Sequence, residues 1–89
     1  MVGYFAVSKA GHDKDQIYVI LECDEKYAFL CDGENKKIAA PKKKSWKHIQ
    51  KINIRVEETL YSKLVNREQI YDTEIKYALR KYKENTNTF

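Results

Sequence analysis

Residues 41–49 read Pro-Lys-Lys-Lys-Ser-Trp-Lys-His-Ile, four lysines with one indole and one imidazole and no acid. Lysine ammonium groups act as point charges that hold phosphates, and flat rings such as Trp46 and His48 offer stacking surfaces for unpaired bases. The charge is concentrated here. Residues 36–55 carry eight Lys/Arg and no Asp/Glu, residues 1–35 carry three Lys against seven acids, and residues 56–89 balance six against six. The whole net charge of +4 therefore originates in one segment. That segregation predicts a polyanion with exposed bases as the partner, held by Lys36, Lys37, Lys42, Lys43, Lys44 and Lys47. A lysine run in an arbitrary protein is more often a solvated face, but the exclusion of acid from this segment favours binding. Two roles stay open for Trp46, stacking on a base or plugging the end of a core. His48 likewise is either a phosphate or stacking contact or a structural histidine.

Other chemistries are poorly served. The chain has two histidines, His12 and His48, no Ser or Cys in a recognisable nucleophile setting, and no glycine-rich phosphate loop. No catalytic residue is expected, and the chain does not read as an enzyme. His12, His48 and Asp13 lack the spacing of a metal site, so no metal, cofactor or small-molecule substrate is expected. Cys23 and Cys31 fall on opposite strands of a predicted hairpin in which Cys31 faces Val19. That leaves them on the order of 13 Å apart at strand rise, too far for a disulfide, and predicts two reduced, packed thiols.

The elements that position the basic segment come from periodicity. Strands are predicted at residues 4–8, 16–23, 27–32, 36–40 and 51–56. Ile17, Val19, Leu21 and Cys23 are assigned to one face of the second strand, and Tyr27, Phe29 and Cys31 to one face of the third. Ile52, Ile54 and Val56 are placed inward on the fifth. Residues 24–26 form a turn, Asp32-Gly33 the centre of a tight hairpin, and residues 45–49 a single 3₁₀ turn. Five short strands over some 55 residues predict a small barrel, a mainly β fold spanning residues 1–56. Beyond residue 56 the period becomes helical, and residues 57–89 read as a C-terminal helical extension. Leu60, Leu64 and Val65 mark its first helix, with Glu57 and Glu58 at the start. Asp72 is the expected N-cap of a second helix, whose apolar stripe is Ile75, Ala78, Leu79 and Tyr82. This extension is expected to cover the barrel or to dock on a partner. The longest apolar run, residues 17–21, cannot span a bilayer, and no basic-then-apolar leader is visible, so no membrane role is expected and the compartment is read as cytoplasmic.

The loop Ser8-Lys9-Ala10-Gly11-His12-Asp13-Lys14-Asp15, followed by a strand, resembles the KOW motif of ribosomal proteins and transcription elongation factors. The likeness continues through Asp32-Gly33, Lys36-Lys37-Ile38 and residues 41–49. It covers residues 3–50, and the helix containing Asp72-Thr73-Glu74-Ile75 also looks like the tail of small bacterial KOW-domain RNA-binding proteins. Those in turn resemble the fourteenth large-subunit ribosomal protein family of archaea and eukaryotes. Gly11 matches the motif's glycine. Asp15 stands where a second glycine is usual, and His12 where arginine is usual. The resemblance implies an SH3-like five-stranded KOW barrel and RNA, ribosomal RNA above all, as partner, with ribosomal proteins as neighbours. It adds Lys9, Gly11, His12 and Lys14 to the RNA-binding set of Lys36, Lys37, Lys42, Lys43, Lys44, Trp46, Lys47 and His48. The competing expectation is an SH3-like protein–protein module for an acidic partner, which would call for an aromatic groove without lysine.

Overall fold

In a computed structural model of the chain, residues 1–86 are described. Strands β1 (Tyr4–Ser8), β2 (Ile17–Cys23), β3 (Tyr27–Cys31), β4 (Lys42–Ser45) and β5 (Ile49–Arg55) form one antiparallel sheet in the order β4-β3-β2-β1-β5. A 3₁₀ turn, Trp46–His48, joins β4 to β5, and helices α1 (Glu58–Val65) and α2 (Asp72–Thr86) follow. The architecture is a mixed α/β one, an open five-stranded sheet with two helices, rather than mainly β.

The two edge strands are joined by only three residues. Ser45 and Ile49 can be at most ~14 Å apart along an extended chain, whereas four flat strand intervals span ~19 Å. The sheet therefore curls enough to bring this end of β4 towards β5, although the two are not hydrogen-bonded neighbours.

Both faces of the central strands are covered. On one, Phe5, Val19 and Cys31 pack with Val56, Leu60, Leu64, Ile75, Ala78 and Leu79. On the other, Ala6, Tyr18, Ile20, Ala28 and Leu30 form a second cluster against which Trp46 and Ile49 rest. The expected α2 stripe is thus buried against the sheet, and Tyr82 stacks on Phe5 with ring centroids 4.6 Å apart. Helices and sheet share one core, and the Cα radius of gyration of 12.0 Å matches the ~12 Å of a compact chain this long.

Several local expectations give way. Residues 36–40 are not a strand; the fourth strand is Lys42–Ser45. Of Asp32 and Gly33 only Gly33 has positive φ, +77°, so no two-residue hairpin turn forms. Instead Asp32 Oδ1 accepts from the Glu34 and Lys36 amides, and the connector 32–41 bends away to meet α2. There Asp72, expected as the α2 cap, lies inside the helix, and its Oδ1 accepts from the Ile38 amide at 2.8 Å. The Tyr71 carbonyl receives the Glu74 amide in its place. A Cβ on Gly33 would run into the Asp72 carbonyl and the Lys76 side chain, which is why glycine stands there.

A register shift between Ile20 and Glu22 leaves Leu21 as an extra residue in β2. Side-chain alternation flips beyond it. Leu21 packs with Val19 as expected, whereas Cys23 joins the opposite cluster. At a second shift, between Tyr4 and Ala6 against β5, Ile52 and Val56 keep to the helix-covered side, but Ile54 between them is 48% exposed. Val65 too is exposed, because α1 turns only Leu60 and Leu64 into the core. Helix α1 begins on Glu57, whose carboxylate accepts from the Thr59 and Leu60 amides, in keeping with the acid expected there.

Candidate nucleic-acid interface

The 9–16 loop is a closed structure. The Ser8 amide donates to the Gln16 carbonyl, Asp15 N–H to the Ser8 carbonyl, Lys14 N–H to that of Gly11 and Gln16 N–H to that of Asp13. Two positive φ angles turn the chain, Gly11 at +88° and Asp15 at +74°. Aspartate adopts this region more readily than most residues, so the turn tolerates a non-glycine residue at position 15.

Asp13 organises the site. Its Oδ1 accepts from Ser8 Oγ at 2.9 Å and from Lys44 Nζ at 2.8 Å, its Oδ2 accepts from the Tyr18 hydroxyl at 2.9 Å, and Lys42 Nζ lies 3.7 Å from Oδ2. Lys44 also donates to the Ala10 carbonyl at 2.9 Å. Strand geometry explains the choice of lysines. Side chains two apart share a face, so Lys42 and Lys44 reach the loop together while Lys43 points the other way. Burial alone would raise the Asp13 pKa, but the hydrogen bonds from Lys44, Ser8 and Tyr18 and the charge of Lys42 outweigh it and hold the carboxyl well below its usual range. Burial and the adjacent Asp13 carboxylate push the Tyr18 phenol far above its ordinary value, so it remains a donor.

The expected binding residues therefore divide. Lys44 is largely enclosed, with 10% of its side chain exposed, and its ammonium is committed inward. Lys42 is partly so. Lys9, Gly11, His12, Lys14, Lys43, Lys47 and His48 are exposed. Lys43 Nζ sits 4.2 Å from the centre of the Tyr27 ring, diagonal to it across β3 and β4. The Lys9 amide donates to the His48 carbonyl at 2.8 Å, which sets the 9–16 loop beside the 3₁₀ turn and its exposed Lys47 and His48. The loop and the lysine-rich segment thus adjoin on both sides. Lys36 and Lys37 belong to the 32–41 connector, which is tied to α2 by Ile38.

Trp46 is half-buried against the Ala6–Tyr18–Ile20 cluster, and its indole N–H donates to the Asp24 carbonyl at 2.7 Å. That packing is what the plugging role calls for. Asp24 itself is held below the usual carboxylate range by the Tyr27 and Lys26 amides it accepts, and so closes the β2–β3 turn. Sequence reasoning missed Asp13 as the anchor, together with Ser8 and Tyr18. The available signal was a buried-strand tyrosine and serine flanking an acid in a loop opposite a lysine strand. Among the described residues no cluster of three or more His, Cys, Asp or Glu is placed to hold a metal ion, and no helix is long and apolar enough to cross a membrane. No protein-family model matches this chain, and none of the curated proteins compared with it is significantly similar.

Proposed function

We propose that the protein binds structured RNA, ribosomal RNA in particular, through the 9–16 loop and the exposed lysines beside it, on an SH3-like barrel of the KOW type. The observation that carries this reading is the adjacency of Lys9, His12 and Lys14 to Lys42–Ser45 and to Lys47 and His48, which belong to a segment, residues 36–55, that contains no acid. Asp13 neutralises the inward lysines and holds the loop, leaving the outward ones for phosphates. The barrel assignment draws support from the strand order, with a three-residue 3₁₀ turn linking opposite edges of the sheet. Ribosomal RNA is chosen on the resemblance of residues 3–50 to KOW proteins.

The test is in-cell ultraviolet crosslinking of the protein and of a Lys9→Glu/Lys14→Glu/Lys43→Glu/Lys47→Glu variant, which alters only exposed lysines. Discrete ribosomal RNA crosslinks lost in the variant, with unchanged circular dichroism, are the expected result. Equal recovery by both proteins, or no RNA above background, overturns the reading.

A further inference from the structure

A second surface, on the helix-covered side of the sheet, has the chemistry of a base pocket. Between β5, α1 and α2 lies a groove of about 830 Å³. Its floor includes Phe5, Ala78 and Tyr82, and from opposite elements Ile54 (48% exposed) and Tyr77 (51% exposed) flank it. The lining acids are engaged: Glu57 caps α1, and Glu74 accepts from Lys63 at 3.3 Å. Helix α2 carries Lys76, Arg80, Lys81 and Lys83, all exposed, with no acid over residues 75–83; Lys76 pairs with Glu34 at 3.8 Å, and Lys81 lines the groove. The Arg80 guanidinium stands 5.4 Å from the centre of the Tyr77 ring.

We propose that this groove receives an unpaired base of a single-stranded RNA segment, stacked on Tyr77 against Ile54, with Arg80 and Lys81 holding the flanking phosphates. Tyr77 and Lys81, at i and i+4 on the helix, both line the groove, and Arg80, at i+3, stands at its rim beside the Tyr77 ring. That juxtaposition of ring and charge matches a nucleotide, and sequence-tolerant stacking beside cations is how single strands are held. The proposal rests on the RNA reading and adds to it a contact remote from the Asp13 loop, which anchors on Tyr18 in the other cluster. A protein binding at both surfaces would hold a folded segment on one side and a single strand on the other.

The experiment uses the full chain with an oligouridylate of about 12 nucleotides carrying 4-thiouridine. Photocrosslinks are mapped by mass spectrometry, and affinities are measured for Tyr77→Ala, Tyr77→Phe and Arg80→Glu/Lys81→Glu. The expected result is crosslinking at Tyr77. Tyr77→Ala should bind about tenfold more weakly through loss of one stack, and Tyr77→Phe should be near wild type because the ring is kept. The double charge reversal should weaken binding and flatten its salt dependence. Crosslinks confined to the 9–16 loop and residues 42–48, with Tyr77→Ala binding as wild type, overturn the groove but leave the RNA reading standing. Absence of RNA binding at either surface overturns both. An oligoglutamate peptide that shifts the Ile54 and Tyr77 resonances when RNA does not, or a dimer that Tyr77→Ala dissociates, also overturns it, since a protein partner or a second copy would then be the occupant.

Discussion

Lys44 and Asp13, far apart in the chain, meet ammonium to carboxylate at 2.8 Å with only 10% and 12% of their side chains exposed. The contact joins the edge strand β4 to the 9–16 loop and makes one lysine of an apparently uniform run structural. An ion pair this enclosed depends on both partners, because removing Asp13 leaves the Lys44 ammonium without a counter-ion and removing Lys44 leaves Asp13 only the more distant Lys42.

Asp13→Asn and Lys44→Met should each cost about 3 kcal/mol in chemical denaturation. Tyr18→Phe, which removes one hydrogen bond to the carboxylate, should cost about 2 kcal/mol. The pH dependence has a definite sign. The folded pKa of Asp13 is depressed, so its contribution is complete above the ordinary value of 3.8 and is lost as pH falls below it towards the folded value. The folded pKa of Tyr18 is raised, so its contribution is complete below its ordinary value of 10.0 and fades as pH climbs beyond it. Urea midpoints across pH should therefore fall less steeply at the acid end in Asp13→Asn and at the alkaline end in Tyr18→Phe. Parallel curves for variant and wild type would remove Asp13 from the account.

Lys43 and Lys44, adjacent in sequence, should give opposite phenotypes. Lys43→Glu changes an exposed residue and should leave the melting temperature nearly unchanged while weakening RNA binding. Lys44→Glu places two carboxylates together and should unfold the loop. If about five phosphates are contacted on single-stranded RNA, wild-type affinity should drop about a hundredfold between 50 and 200 mM salt. Filter binding over that range measures the slope, and a salt-independent affinity would rule out a phosphate grip.

Arg67 follows α1 with φ of +56°, the left-handed conformation. The Glu68 amide donates to the Lys63 carbonyl and the Arg67 amide to the Leu64 carbonyl, the double closure that ordinarily employs glycine. Arg67→Gly should therefore stabilise the fold by about 0.5–1 kcal/mol, read as a higher urea midpoint. Its ion pair with Glu22, at 4.0 Å between mostly exposed groups, is too loose to offset that gain.

Burial, with the neighbouring Asp72 and Asp32 charges, pushes the Cys31 thiol up to about 12. Cys31 is fully enclosed and Cys23 half-buried, and neither is in a disulfide. At pH 8 a maleimide should label Cys23 first, and labelling of Cys31 should require unfolding and rise with denaturant. Equal rates at both thiols in the native protein would contradict the packing of β3.

The sequence by itself determined most of what depends on local period and charge. Four of five strands, both helices, the α2 stripe from Ile75 to Tyr82 and the Val19–Cys31 pairing follow from side-chain alternation and turn residues, which act between near neighbours. The confinement of positive charge to residues 36–55 is likewise plain in the sequence. Tertiary structure alone decided which strand the basic segment forms and which lysines stay free. Residues 36–40 lost their strand because Asp72, remote in sequence, captured the Ile38 amide, and Lys44 turned inward because the loop supplied Asp13 opposite its edge of the sheet. The bulge at Leu21 reversed Cys23, and Ile54 is exposed at the shift against β5; an irregularity in pairing depends on both strands at once. Contacts of this kind join residues that no local pattern connects, and they are settled only when the sheet curls and the helices close over it.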